Sequence, residues 1–199
     1  MVAVAPLPPV SHRPSSEQRM VIHGVAWKDY VILREALDTP GLRMTYCEGT
    51  LELMSPSLTQ ELNKTTIARL IELYAFLREL PLIGYGSTTF RREAKQRGAE
   101  PDECYCVGRR LEEGEFPDIV LEIILTNPIL DKLDVYRGLG VREVWLFQDG
   151  TFSLHHLTAG GYERVQHSTL IPGLDFTLVA QLATRPDQDE ALRDLKRSI

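Results

Sequence analysis

The sequence predicts an α/β protein: a central mixed β-sheet flanked by helices, with an added N-terminal helix and β-hairpin. Three observations carry that expectation. Asp118 to Leu125 is an aliphatic, β-branched run of strand length. After Thr126-Asn127-Pro128, which reads as a cap followed by a first helical residue, Ile129, Leu130, Leu133 and Tyr136 recur at helical spacing, and Gly138 and Gly140 supply a stop. Val141 to Gln148 is a second apolar strand. Strand, helix and strand in such short order make a βαβ unit, whose strands are expected to run parallel.

The remaining elements are placed around this unit. Residues 1–18 are rich in Pro and Ser and read as a flexible arm, leaving 19–199 as a single domain. Trp27 to Leu37 has helical spacing, and Thr39-Pro40-Gly41 stops it. Two short strands, 42–47 and 50–54, flank Glu48-Gly49, a hairpin turn. Ser57 to Gln60 fits a capping box opening a long helix to about Leu80, with Leu62, Ile67, Leu70, Ile71, Tyr74 and Leu77 turned inward. Residues 81–91 read as a strand, followed by a basic cluster of Arg91, Arg92, Lys95 and Arg97 that suits a phosphate backbone or a solvated loop. Asp149-Gly150 joins 141–148 to 151–157, a further short strand follows Gly160-Gly161, and two helices flank Arg185-Pro186, the last charged and superficial.

Composition excludes several classes. A 199-residue chain that is 43% hydrophobic builds one substantial core. No apolar run approaches a membrane span, and the Pro-rich start lacks the basic-then-apolar order of a signal peptide, so a cytoplasmic protein is expected. Cys47, Cys104 and Cys106 form no zinc-knuckle spacing and read as buried reduced thiols. A net charge of -6 argues against a broadly basic nucleic-acid coat and leaves room for a local basic cleft.

One residue breaks the apolar strand. Glu122 shares a face with Asp118, Val120 and Ile124, and an unpaired carboxylate there costs several kcal/mol, so it requires a cation, a donor or a metal ion. A hairpin between 101–107 and 117–125 centred on residue 112 sets Asp102 directly opposite Glu122, with Cβ atoms about 4.5 to 5.5 Å apart. Two carboxylates at that spacing repel unless a cation lies between them. Asp118 stands roughly 13 Å along the strand from Glu122, too far to share an ion. Lys132 lies in the first turns of the next helix, close to where the strand delivers Glu122. Two acids and a lysine suit metal-assisted phosphodiester hydrolysis with magnesium or manganese, the lysine stabilising charge on the attacking water or on phosphorus.

At these residues the chain resembles the Uma-two family of bacterial endonucleases, in the restriction-endonuclease-like PD-(D/E)xK superfamily. GAEPDECY, PDIVLEI and DKLDVYRGLGVREVWLF, with MSPSLTQE upstream, carry the resemblance over roughly residues 20–160. It implies a restriction-endonuclease-like core, Asp102 as the first acid, Glu122 as the second, and Lys132 as the lysine displaced from strand to helix. Glu61, beside Gln60 where relatives carry His-Glu, becomes a helper ligand or base. DNA as substrate, a magnesium or manganese cofactor and a homodimer are further implications. Relatives of this subtype often carry a second acid where Ile124 stands and Thr-Ser-Ser where Thr126-Asn127-Pro128 stands. A catalytically inactive fold serving as a nucleic-acid-binding or assembly module is therefore the alternative, and a structural Glu122–Lys132 ion pair is a third reading.

Overall fold

The computed structural model describes residues 17–39, 41–126 and 128–199. Residues 1–16 of the expected arm lie outside these, and Gln18 already belongs to a strand, β1 (Gln18–His23). Then come α1 (Trp27–Ala36), β2 (Arg43–Cys47) and β3 (Thr50–Ser55). The expected β2–β3 hairpin is present: Glu48 and Gly49 have φ of 44° and 86°, and Cys47 pairs with Thr50. Ser57 Oγ accepts from Gln60 N at 3.2 Å and opens α2 (Leu58–Leu77). The helix ends before the expected Leu80, because Glu79 turns to a φ of 55° ahead of Pro81. Leu62, expected inside, is 54% exposed.

The stretch 81–91, expected as one strand, splits into β4 (Leu82–Gly84) and β5 (Phe90–Arg92), which join different sheets with Gly86 turning between them. The chain continues through β6 (Arg97–Ala99), β7 (Glu103–Val107), β8 (Ile119–Ile124), α3 (Lys132–Leu139), β9 (Glu143–Gln148), β10 (Thr151–Thr158), β11 (Gly161–Val165), α4 (Phe176–Ala183) and α5 (Gln188–Ser198). The last of these is less superficial than expected, since Ala191 and Leu195 are buried in the core.

Two sheets result. One is antiparallel, in the order β1-β3-β2-β6-β5; the other runs β11-β10-β9-β8-β7-β4. Within the second, β8 and β9 are parallel, with Glu122 opposite Leu146, and α3 connects them as the βαβ reading requires. The two faces of β8 separate two cores. Ile119, Leu121 and Ile123 pack with α2, α4 and α5, whereas Val120 packs with Val135, Tyr136 and Leu139 of α3. Glu122 lies on the α3 face by alternation.

Sheet one closes over α3 from the other side. Met44 and Tyr46 of β2 turn into an aromatic cluster with α1, where Tyr30 stacks on Tyr46 at 4.7 Å. Gly98 is required beside them, because a Cβ there would sit 2.2 Å from the Tyr30 hydroxyl oxygen. Of the alternate residues, Thr45 and Cys47 meet Lys132 and Asp134 of α3, and Arg43 meets Glu61 of α2. Much of the basic cluster is tied up in this contact: Arg97 pairs with Asp134 at 2.7 Å, and Arg92 donates to the Gly138 carbonyl and lies 4.4 Å over the Phe116 ring.

Candidate active site

The hairpin register is the one the sequence predicts. Glu103 pairs with Leu121 and Tyr105 with Ile119, so the next step of the ladder sets Asp102 opposite Glu122. Asp102 falls just before β7, and its Oδ2 accepts from Ile123 N at 2.8 Å, which fixes the carboxylate against β8. Asp102 is 1% exposed and Glu122 3%. Burial, and then the charge of Glu122, push the Asp102 carboxyl up to about 6, against the opposing pull of the Ile123 amide, Arg43 and Lys132.

Lys132 reaches the pair from α3, but not as the expected cap geometry would deliver it. Asp131 caps the helix, its Oδ1 accepting from Leu133 N at 2.9 Å and Asp134 N at 3.4 Å, and Lys132 is the first helical residue. The expected cap at Thr126-Asn127 falls partly on Asn127, outside the described residues; Pro128 precedes the helix by several positions. Lys132 Nζ donates to Glu122 Oε1 and to Thr45 Oγ1, each at 3.1 Å. Tyr136, one helical turn on, donates a short hydrogen bond to the same Glu122 oxygen. Burial and the adjacent Glu122 hold the Tyr136 phenol well above its ordinary range, so it acts as a donor.

Gln60, rather than Glu61, is the α2 residue bonded to Asp102. Its Nε2 lies 3.4 and 3.3 Å from the two carboxylate oxygens and 3.2 Å from the Ile123 carbonyl, while its Oε1 is buried without a hydrogen-bond partner among the described residues. Glu61 faces an adjoining cleft, 3.6 Å from Arg43 Nη2 and 3.6 Å from Lys64 Nζ. Glu52, unremarked in the sequence, sits opposite Thr45 in the β2–β3 ladder. Its Oε2 accepts from Ile129 N at 2.7 Å and Leu130 N at 3.3 Å, and Arg19 pairs with its other oxygen. The hairpin thus holds both the lysine and the loop that carries it.

Asp118, at the far end of β8, accepts from Val107 N at 3.0 Å and pairs with Arg109 and Arg142, as suits a structural carboxylate. Cys47, Cys104 and Cys106 are free thiols, the last two buried. His155 and His156 bond different partners, Ser153 and Thr169. Among the described residues no group of three or more His, Cys, Asp and Glu is placed to hold a metal ion, so two carboxylates are the available acidic donors.

A model of the Uma2 family, described as "Putative restriction endonuclease", matches residues 27–184. The chain belongs to the Uma2 family. A solved structure of a putative nuclease of family DUF820 from Anabaena variabilis ATCC 29413 is 14% identical, with a TM-score of 0.45, covering 82% of this chain and 98% of that one. A comparison with curated proteins finds no match. In this Uma2 chain the acid pair and Lys132 sit on the β7–β8–α3–β9 unit, and β2 of the other sheet completes the surroundings of Lys132 through Thr45. Among the described residues no helix is long and apolar enough to cross a membrane.

Proposed function

We propose that this Uma2 protein is a metal-dependent endonuclease that hydrolyses phosphodiester bonds of DNA. Asp102 and Glu122 would hold a magnesium or manganese ion, and Lys132 would stabilise charge in the transition state. The observation that carries the reading is two buried carboxylates enclosed with one lysine, one of them pushed to about 6 by burial and by the charge of the other. The donor set fits a hard divalent cation: two carboxylates exceed the single lysine by one negative charge, and the unpartnered Gln60 Oε1 adds a neutral oxygen beside them. Such an ion, when bound, polarises a phosphoryl oxygen and makes its bound water more acidic.

The chain's own groups have separable tasks. Lys132 spends two of its three donors on Thr45 and Glu122, which leaves one for an anionic oxygen. Tyr136 fixes the Glu122 carboxylate from the same side. Glu61 helps at one remove, through Arg43 and Lys64. A homodimer would use α2, which exposes Leu58 and Leu62 near its start and Phe76 near its end; sedimentation of Phe76→Glu as a monomer against a wild-type dimer tests it.

The test of the activity is conversion of supercoiled plasmid DNA with and without magnesium. Wild type should cut only with the metal, and Glu122→Gln and Asp102→Asn should each cut at least about 100-fold more slowly. A second reading, the fold retained as a binding module without catalysis, is favoured by the burial of both acids, 1% and 3% exposed. It expects nucleic-acid binding indifferent to magnesium and to Glu122→Gln, and magnesium-dependent cutting removes it.

A further inference from the structure

Beside the acid pair, a cleft of about 500 Å³ opens between β2 and the start of α2, lined by Arg34, Arg43, Glu61, Lys64 and Glu100 among others. Arg43 projects from the face of β2 that carries Thr45, one pleat from the residue that holds Lys132. It is 8% exposed, and its Nε is buried without a hydrogen-bond partner among the described residues. Its ion pair with Glu61, and those of Lys64 with Glu61 and Glu103, lie at 3.6, 3.6 and 3.8 Å, beyond the roughly 2.7–2.9 Å of charge-assisted hydrogen bonds. By contrast, Arg97 meets Asp134 at 2.7 Å. The cations of this cleft are electrostatically balanced, yet the Nε–H of Arg43 has no acceptor among the described residues, a state that costs about 1–3 kcal/mol for a buried group.

We infer that Arg43 and Lys64 form a subsite for a backbone phosphate of DNA adjoining the scissile one, and that Glu61 is the internal anion that holds both cations until that phosphate arrives. The inference rests on the nuclease reading and deepens it. The guanidinium fork suits two phosphate oxygens, and a turn of the side chain away from Glu61 would open its buried Nε–H to one of them. The contact is to backbone, so it carries no sequence preference. It also gives Glu61 a task that differs from general base: its charge competes with the substrate for the same two cations.

Fluorescence anisotropy of labelled duplex DNA in EDTA, at several salt concentrations and with two unrelated sequences, reads binding with cutting switched off. Arg43→Gln should weaken binding about tenfold on both sequences and lower the salt slope by about one. Lys64→Gln, less buried and so less exposed to a folding artefact, should lower the slope similarly. Glu61→Gln should bind roughly two- to fivefold more tightly, and that gain should vanish in the Arg43→Gln background, which the mere loss of a negative charge near DNA does not produce. Wild type that cuts DNA while these variants bind unchanged overturns the subsite and leaves the nuclease reading standing. Wild type that neither binds nor cuts DNA overturns both. Sub-millimolar calorimetric binding of inorganic phosphate, lost in Arg43→Gln while DNA affinity stays put, overturns the assignment to DNA in favour of a small-anion site.

Discussion

Replacing Lys132 by Met keeps most of the stem volume and removes an ammonium 3.1 Å from a carboxylate that is 3% exposed. At that distance and an effective dielectric of about 20, the attraction is roughly 5 kcal/mol before desolvation is subtracted. Removing one partner of a buried pair leaves the other charge uncompensated and costs about 3–5 kcal/mol. Tyr136 still donates to Glu122, so the lower end applies, and for a chain of this size roughly 3 kcal/mol lowers Tm by about 6–12 °C. Thermal melts followed by circular dichroism of wild type, Lys132→Met, Glu122→Gln and the double variant form a complete cycle. The double variant should be more stable than the sum of the two losses implies, by about 1–3 kcal/mol. Lys132→Met melting within about 1 °C of wild type would refute the buried pair. A loss of cutting in a Lys132 variant must therefore be read only on protein shown to be folded at the assay temperature.

Further outcomes follow from the same geometry. With Asp102 raised to about 6 in the folded protein, its neutral form favours folding at low pH, and that contribution is lost as pH rises from the unfolded value through 6. In EDTA, the Tm of Asp102→Asn minus that of wild type should therefore increase between pH 5 and pH 8; a flat difference contradicts the shift. Glu52→Leu removes the acceptor of two loop amides, and should cost about 1–3 kcal/mol and speed hydrogen exchange at Ile129 and Leu130 while leaving exchange in β8 slow.

The hairpin register was legible because it depends only on strand period and loop centre, both written locally: Asp102 and Glu122 fall opposite each other without a bulge. The βαβ unit was legible for the same reason. Tyr136 could also have been found, since it stands four residues after Lys132 on one helical face. Thr45 and Glu52 could not, because their link to Lys132 and its loop is made by a separate sheet closing across α3, a contact between residues about 80 apart. The choice between Gln60 and Glu61 depended on helix rotation, which the apolar pattern of α2 left loose, as the exposed Leu62 shows. Strand 81–91 failed at Gly86, where the glycine passes the chain from one sheet to the other.

The central claim is that Asp102 and Glu122 form a cation site with a nuclease's purpose. Calorimetric titration of manganese into wild type and Glu122→Gln at pH 7.5 tests it most directly, since that pH lies above the value of about 6 to which Asp102 is raised. The account predicts one ion per chain for wild type and none for the variant, with binding weakening as the pH falls below 6. Binding of equal strength to both proteins, or to neither, contradicts it.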